Sequence, residues 1–114
     1  MSPEYLADLN LTEVTTADGV FYSHNSLYHR GDGPAKVWSG GTKEWYWHGM
    51  RHREDGPAIE WANGTKYWYI NDKEYPDAHQ WAKAVLQMQK KPAEPNDVQE
   101  FLRTILQKQT KDLI

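Results

Sequence analysis

The sequence contains no cysteine, which excludes disulfide bonds, a thiolate nucleophile and a cysteine-ligated metal. It also contains no apolar run close to the roughly 20 residues that a membrane-spanning helix requires. The first residues have neither the basic segment nor the apolar stretch of a signal peptide. A length of 114 residues suits one compact domain. We therefore expect a single-domain cytoplasmic protein, spanning residues 1–114, with no membrane segment.

An excess of charge of one sign is also lacking. The net charge is −3, and residues 28–76 carry seven acidic and seven basic side chains. No segment has the concentrated positive charge that binds phosphate backbones, which argues against duplex DNA as the partner.

Aromatic residues, in contrast, are abundant, and they follow an internal repeat. The chain has six Trp and seven Tyr, and the string HRGDGPA at 29–35 recurs as HREDGPA at 52–58, an offset of 23 residues. The offset persists beyond the string in the pairs Trp38/Trp61, Gly41/Gly64, Thr42/Thr65, Lys43/Lys66, Trp45/Trp68 and Tyr46/Tyr69. Fixed self-similarity of this length is typical of repeat architectures.

Each repeat unit predicts two short strands separated by turns. Strands are expected at 34–38, 43–47 and 66–70, with Gly-rich and Asn-Gly turns between them. The two-residue alternation of a strand places Glu44, Tyr46, Tyr67 and Tyr69 on one face of the sheet. The other face, which we expect to form the core, carries Trp45, Trp47, Trp68 and Ile70.

Two amphipathic helices are predicted in residues 77–114. Asp77 is expected to cap the first and Asn96 the second. The second has an apolar stripe formed by Val98, Phe101, Leu102, Ile105 and Leu106. The predicted fold is therefore α+β, with antiparallel β-hairpin repeats over 17–75 followed by a C-terminal helical pair. Near the N-terminus the sequence allows two predictions, a short helix that begins at Ser2-Pro3-Glu4 and a strand over residues 9–16.

The repeat resembles a known family. A 23-residue hairpin unit with Gly, Tyr and Trp is similar to MORN-type repeats, and the string HREDGPA followed by Asn-Gly-Thr-Lys looks like the MORN-like repeats of small bacteriophage proteins. The resemblance implies a hairpin meander and a phage origin. It implies no catalytic residue, because no agreed activity accompanies the pattern.

The His-Arg-x-Asp string has two interpretations. His29, Arg30 and Asp32 could act as base, clamp and orienting carboxylate. An active site needs one asymmetric constellation, however, whereas this string occurs twice, so we expect it to serve the repeat. In that interpretation Asp32 and Asp55 bond to backbone N–H groups of a turn, and Gly33 and Gly56 adopt positive φ. We expect no enzyme activity, cofactor or metal site, because ligand spacings typical of zinc or calcium are missing.

The function that these features favour is protein binding. Tyrosine, tryptophan and arginine dominate interface hot spots, and we predict that the partner contacts Tyr46, Tyr67 and Tyr69, with Arg51 and Arg53 at the edge of that face. The phage resemblance implies a host protein as the partner, such as a defence or regulatory factor that the chain inhibits. The alternative is a sponge for a nucleotide signal, built from an aromatic cleft and Arg30, Arg51 or Arg53. The sequence does not decide whether the chain forms a homo-oligomer. It also does not decide whether the final helix packs on the core or docks on a partner.

Overall fold

The computed structural model describes residues 11–112, with side chains described to residue 108. The expectation of a short helix at Ser2-Pro3-Glu4 lies outside the described residues. The strand interpretation of the following segment is confirmed from Thr12 onward.

The described residues form ten β-strands followed by two α-helices. The strands are β1 Thr12–Thr16, β2 Gly19–His24, β3 Leu27–Tyr28, β4 Lys36–Trp38, β5 Lys43–Glu44, β6 Tyr46–Trp47, β7 Met50–Arg51, β8 Ile59–Glu60, β9 Lys66–Ile70 and β10 Lys73–Tyr75. The helices are α1 Ala78–Met88 and α2 Pro95–Asp112. This order confirms the predicted α+β class.

The strands make an antiparallel meander. Eight of them form one sheet in the order β1-β2-β4-β5-β8-β9-β10, with β3 paired to β2, while β6 and β7 form a separate hairpin. The strand predicted at 43–47 is divided at Trp45, because its backbone N–H bonds to the carbonyl of Ala58 before Tyr46 pairs with Arg51 in β7. The chain thus changes pairing partner at this residue.

Three two-residue turns recur at the repeat spacing. The pairs at 25–26, 48–49 and 71–72 connect consecutive strands, and every residue in them has a positive φ, as type I′ turns require. Asn25 and Asn71 tolerate this conformation well, whereas Ser26, at φ 66°, is strained. The Asn-Gly sequence at 63–64 lies in a different hairpin, where only the glycine has positive φ and the Asn63 side chain accepts the N–H of Thr65.

The predicted N-terminal cap is confirmed for the first helix and wrong for the second. Asp77 caps α1 as expected, and its carboxylate accepts the backbone N–H of Gln80 at 2.8 Å. The prediction that Asn96 caps the second helix is wrong, because α2 begins one residue earlier, at Pro95. Proline suits a first helical position, where no N–H is needed, and Asp97 reaches back to the N–H of Glu94.

The core lies between the helices and the end of the sheet. Its buried members are Ile70, Trp81, Ala82, Val85, Leu86, Val98 and Ile105. Trp81 is fully buried, and its ring centroid lies 4.7 Å from that of Trp68 and 5.7 Å from that of Phe101. The expected core positions Trp68 and Ile70 are confirmed, whereas Trp45 and Trp47 lie outside this cluster. Most of the α2 stripe packs inward, so the packing interpretation of that helix holds, although Leu106 is 63% exposed.

Neither helix in the described part of the chain has the length and apolar character needed to cross a membrane.

Ser26→Gly should stabilise the fold. The substitution creates the Asn-Gly pair preferred in type I′ turns and removes the strain of a positive φ at an exposed serine, worth about 1 kcal/mol. Chemical denaturation should show a higher midpoint for the variant. Ser39→Gly is the matched control, since Ser39 is also an exposed turn serine but does not have positive φ. A midpoint for Ser26→Gly at or below that of the control would contradict the turn assignment.

Candidate functional site

The arginine of each HRxDGPA string is held from three sides. The Arg53 guanidinium lies 3.8 Å above the centre of the Trp45 ring, pairs with Asp55 at 2.8 Å, and donates to the carbonyl of Pro57 at 3.1 Å. The contacts with Asp55 and Pro57 lie within the loop, and the contact with Trp45 attaches the loop to the preceding strand segment. We call this arrangement the arginine latch.

The first unit repeats the latch with one change of residue type. Arg30 lies 4.1 Å above the ring of Tyr22, pairs with Asp32 at 2.8 Å, and donates to the carbonyl of Pro34 at 3.3 Å. The same aromatic, carboxylate and carbonyl groups therefore hold both arginines, which is what a structural role for the string predicts.

The histidines of the strings connect neighbouring units. His29 Nδ1 accepts the backbone N–H of His48 at 2.9 Å, and His52 Nδ1 accepts that of Asn71 at 3.0 Å. Both donors are first residues of type I′ turns. Each histidine thus fixes the turn that begins the return strand of the next unit.

Two details of the expected loop chemistry are wrong. Gly33 and Gly56 do not have positive φ; a Cβ on Gly56 would instead lie 2.7 Å from Arg53 Cζ, so glycine is needed there for the close approach of the guanidinium. Asp32 and Asp55 bond to arginine and not to turn N–H groups. Burial raises the pKa of Asp55, but hydrogen bonds and charge from Arg53 and Lys108 lower it by more. The pKa of Asp55 is therefore below its ordinary value.

His29 differs from its counterpart in burial. His29 is fully buried, and its Nε2 has no hydrogen-bond partner among the described residues, whereas His52 Nε2 bonds to Glu54 at 2.8 Å. Burial, followed by the neighbouring His48 and His24, lowers the pKa of His29 to about 4. His29 is therefore neutral at physiological pH.

A cleft of about 960 Å³ separates the two loops. Its walls include the arginine and the aspartate of both latches, together with Trp45, Trp47 and Lys108 from α2. The charged groups in it are paired: each arginine bonds to its own aspartate, and Lys108 bonds to Asp55 at 3.0 Å. A phosphate entering this cleft would have to break ion pairs that the fold already uses.

The opposite side of the sheet exposes an aromatic surface. Pairing places Phe21, Lys36, Glu44, Ile59 and Tyr67 in one cross-strand row, and Trp38 and Trp61 lie two residues beyond members of that row. Five large apolar side chains on this side are between 37% and 50% exposed: Val14, Tyr28, Trp38, Trp61 and Tyr67. We call these five the open face.

The polar groups of the first unit on this side are satisfied internally. The Lys36 ammonium lies 4.1 Å from the centre of the Tyr28 ring and 5.0 Å from that of Tyr46. Glu44 accepts from Trp38 Nε1 at 2.6 Å and from the Tyr46 hydroxyl at 3.1 Å. Burial, followed by the charge of Glu44, raises the pKa of Tyr46 to about 12.

The residues predicted to contact a partner are divided by the fold. Tyr67 is 37% exposed and belongs to the open face, whereas Tyr69 is only 7% exposed and Tyr46 is half-buried. Arg51 lies beside Tyr69, with its guanidinium 4.5 Å from the ring centre, and pairs with Asp72. Arg53 lies on the other side of the sheet, in its latch over Trp45.

Sequence reasoning missed four members of the open face, namely Val14, Tyr28, Trp38 and Trp61. The signal was present in the repeat, because Trp38 and Trp61 occupy equivalent positions 23 residues apart. Trp38 ends β4 and Trp61 directly follows β8, and both strands are too short to show an alternation of their own, so the face of each tryptophan depends on pairing register.

No group of three or more His, Asp or Glu side chains in the described residues is arranged to hold a metal ion. Comparisons with protein-family models, curated proteins and solved structures find no match to this chain.

Gly56→Ala should destabilise the protein by about 1–2 kcal/mol, since the new Cβ displaces the Arg53 guanidinium from Trp45 and Asp55. Urea denaturation measures the loss. Gly40→Ala is the matched control, because a Cβ there meets no atom within 4 Å. If the latch is the cause, the penalty should disappear when Arg53→Lys is introduced first, and an undiminished penalty in that background would contradict it.

The stability of the protein should fall in mild acid because of His29. In the unfolded chain its pKa is the ordinary 6.5, whereas in the folded chain it is about 4. Between these values the unfolded state binds more protons, so the stabilisation is complete above pH 6.5 and declines towards pH 4, by up to about 3 kcal/mol.

His29→Asn tests this prediction, because the amide oxygen replaces Nδ1 as acceptor and does not titrate. Denaturation between pH 7.5 and 4.5 should show a flatter decline for this variant than for the wild type, while His79→Asn, at an exposed helix position, should follow the wild type. Parallel curves for the wild type and His29→Asn would argue against a neutral buried imidazole.

Proposed function

We propose that this protein is a protein-binding module and that the open face is its contact surface. The observation that carries the proposal is the clustering of exposed apolar side chains on one side of the sheet, opposite the helices. Of the eight large apolar residues exposed in the described part of the chain, five lie on this face. Contiguous exposed patches of this kind mark interaction sites more often than isolated exposed residues do.

The chemistry of the face suits a protein partner. Trp and Tyr bury a large rigid area at low entropic cost and keep a polar tip for hydrogen bonding. The charges nearest to them are taken up locally, since Lys36 lies against Tyr28 and Arg51 pairs with Asp72. The surface therefore offers rings more than free charge. The resemblance to phage MORN-like proteins supports a host protein as that partner, such as a defence or regulatory factor whose activity the chain inhibits.

The alternative, a sponge for a nucleotide signal, has less support. The cleft between the loops has adequate volume and aromatic walls. However, Arg30 and Arg53 are engaged by Asp32 and Asp55, and Arg51 by Asp72. A phosphate ligand would lack a free cation among these three.

The use that the fold makes of the repeated string supports a non-catalytic role. Each His, Arg and Asp of the string has a bonding partner that maintains the repeat. We therefore propose a binding function without turnover.

Trp61→Ala and Tyr67→Ala should weaken partner binding at least about tenfold with a small loss of stability, as expected for exposed hot-spot residues. Tagged wild-type protein would first identify a host partner by pull-down from a bacterial lysate and mass spectrometry, and calorimetry would then give each affinity. Leu27→Ala is the matched control, since Leu27 is 48% exposed but does not belong to the open face. Unchanged affinity in both open-face variants, with folding intact, would rule out this surface.

A further inference from the structure

The first repeat unit contains a carboxylate held by aromatic donors. One oxygen of Glu44 accepts the indole N–H of Trp38 at 2.6 Å, and the other accepts the hydroxyl of Tyr46 at 3.1 Å. The shorter contact has the length of a strong charge-assisted hydrogen bond. The unit thus shows which group fits beside this tryptophan on the open face, namely a carboxylate.

The second unit has the same tryptophan but not the carboxylate. At the offset of 23 residues, Trp61 corresponds to Trp38 and Tyr67 corresponds to Glu44. Trp61 is 50% exposed, and neither its indole N–H nor the Tyr67 hydroxyl has a hydrogen-bond partner among the described residues. Two donors therefore face solvent where the first unit supplies its own acceptor.

The two units also place their cations differently, since Lys36 of the first unit corresponds to Ile59 of the second. Arg51 corresponds to Tyr28, so the second unit places a guanidinium where the first places a phenol ring. Arg51 uses Nε for Asp72 and Nη1 for the Tyr69 hydroxyl. Its Nη2 makes no hydrogen bond to a described residue.

We propose that Trp61, Tyr67 and Arg51 receive the carboxylate of an Asp or Glu side chain from the partner protein, so that an acidic peptide segment docks on the second unit. The inference rests on the proposed function and specifies the partner's chemistry. The incoming carboxylate repeats the contact that Glu44 makes with Trp38, and it accepts a further bond from Nη2, the Arg51 donor that Asp72 and Tyr69 leave unused. The net charge of −3 opposes an acidic partner only weakly, because physiological salt screens it beyond about 8 Å.

The test uses tetraglutamate as the probe and the indole N–H resonances as the readout. Titration of the ¹⁵N-labelled protein should shift the Trp61 resonance, assigned through Trp61→Phe, with millimolar affinity typical of a single carboxylate contact. The Trp38 resonance is an internal control that should not move, because Glu44 already occupies its N–H. Tetralysine should leave both resonances unchanged.

Tyr67→Glu is the decisive variant. It gives the second unit its own carboxylate, so the Trp61 resonance should move towards that of Trp38 without any peptide, and tetraglutamate affinity should fall at least about tenfold. Tyr67→Phe is the matched control, because it keeps the ring and the Trp61 donor and should retain most of the response. Tyr67 is an exposed strand residue, and the dispersed spectrum reports whether each variant is folded.

The outcomes separate this inference from the proposed function. The carboxylate site would be overturned if the Trp61 resonance does not shift with tetraglutamate. It would also be overturned if that resonance shifts equally with tetralysine, or if tetraglutamate shifts it equally in Tyr67→Glu. If the carboxylate site is overturned but Trp61→Ala no longer captures the partner protein, the open face remains a binding surface for a partner of different chemistry. A specific tetraglutamate response without any effect of the open-face variants on capture would mean that the captured protein does not use this site, and it would overturn both the inferred docking of an acidic segment and the open face as the contact surface.

Discussion

The arginine latch is the interaction on which the rest of this structure depends. A two-stranded hairpin is marginally stable alone, and here each HRxDGPA loop is attached to the preceding strand by a guanidinium that lies over an aromatic ring and bonds to a carboxylate and a carbonyl. The backbone of the same arginine extends the connection in two directions. The N–H of Arg53 bonds to the carbonyl of Tyr69 in β9, and its carbonyl accepts the indole N–H of Trp81 in α1. One residue therefore joins two repeat units to the helical core.

This structural use of the repeated string leaves function to another part of the molecule. His, Arg and Asp in proximity suggest catalysis, yet their hydrogen-bonding capacity here goes largely to turns and strands. The identical His, Arg and Asp positions serve the fold, while positions at which the units differ are not fixed by that role. The replacement of Glu44 by Tyr67 at equivalent positions is such a difference, and it leaves the donor of Trp61 exposed on the open face.

Much of the architecture could be predicted because its signals are local. The 23-residue period, the Asp77 cap and the alternation that separates Tyr67 from Trp68 each depend on a few neighbouring residues. The errors arose where one particular contact, and not the type of residue, decides the outcome. Gly56 is glycine because the Arg53 guanidinium packs against it, and α2 begins at Pro95 because Asp97 satisfies the N–H of Glu94. The strand around Trp45 is divided because its N–H bonds to Ala58 in the next unit.

The open face shows most clearly what the sequence determines and what the tertiary structure determines. The sequence by itself determined the repeat, the antiparallel hairpins, the helical pair and the presence of two aromatic faces, since periodicity sets which side chains share a face. Only the tertiary structure decided which of those aromatics remain in solvent. Tyr67 and Tyr69 have the same periodicity, but Tyr69 is covered and pairs with Arg51 from a neighbouring hairpin, while Tyr67 and Trp61 are left exposed. Burial depends on the register between strands and on what packs across them, and these contacts join residues far apart in the chain.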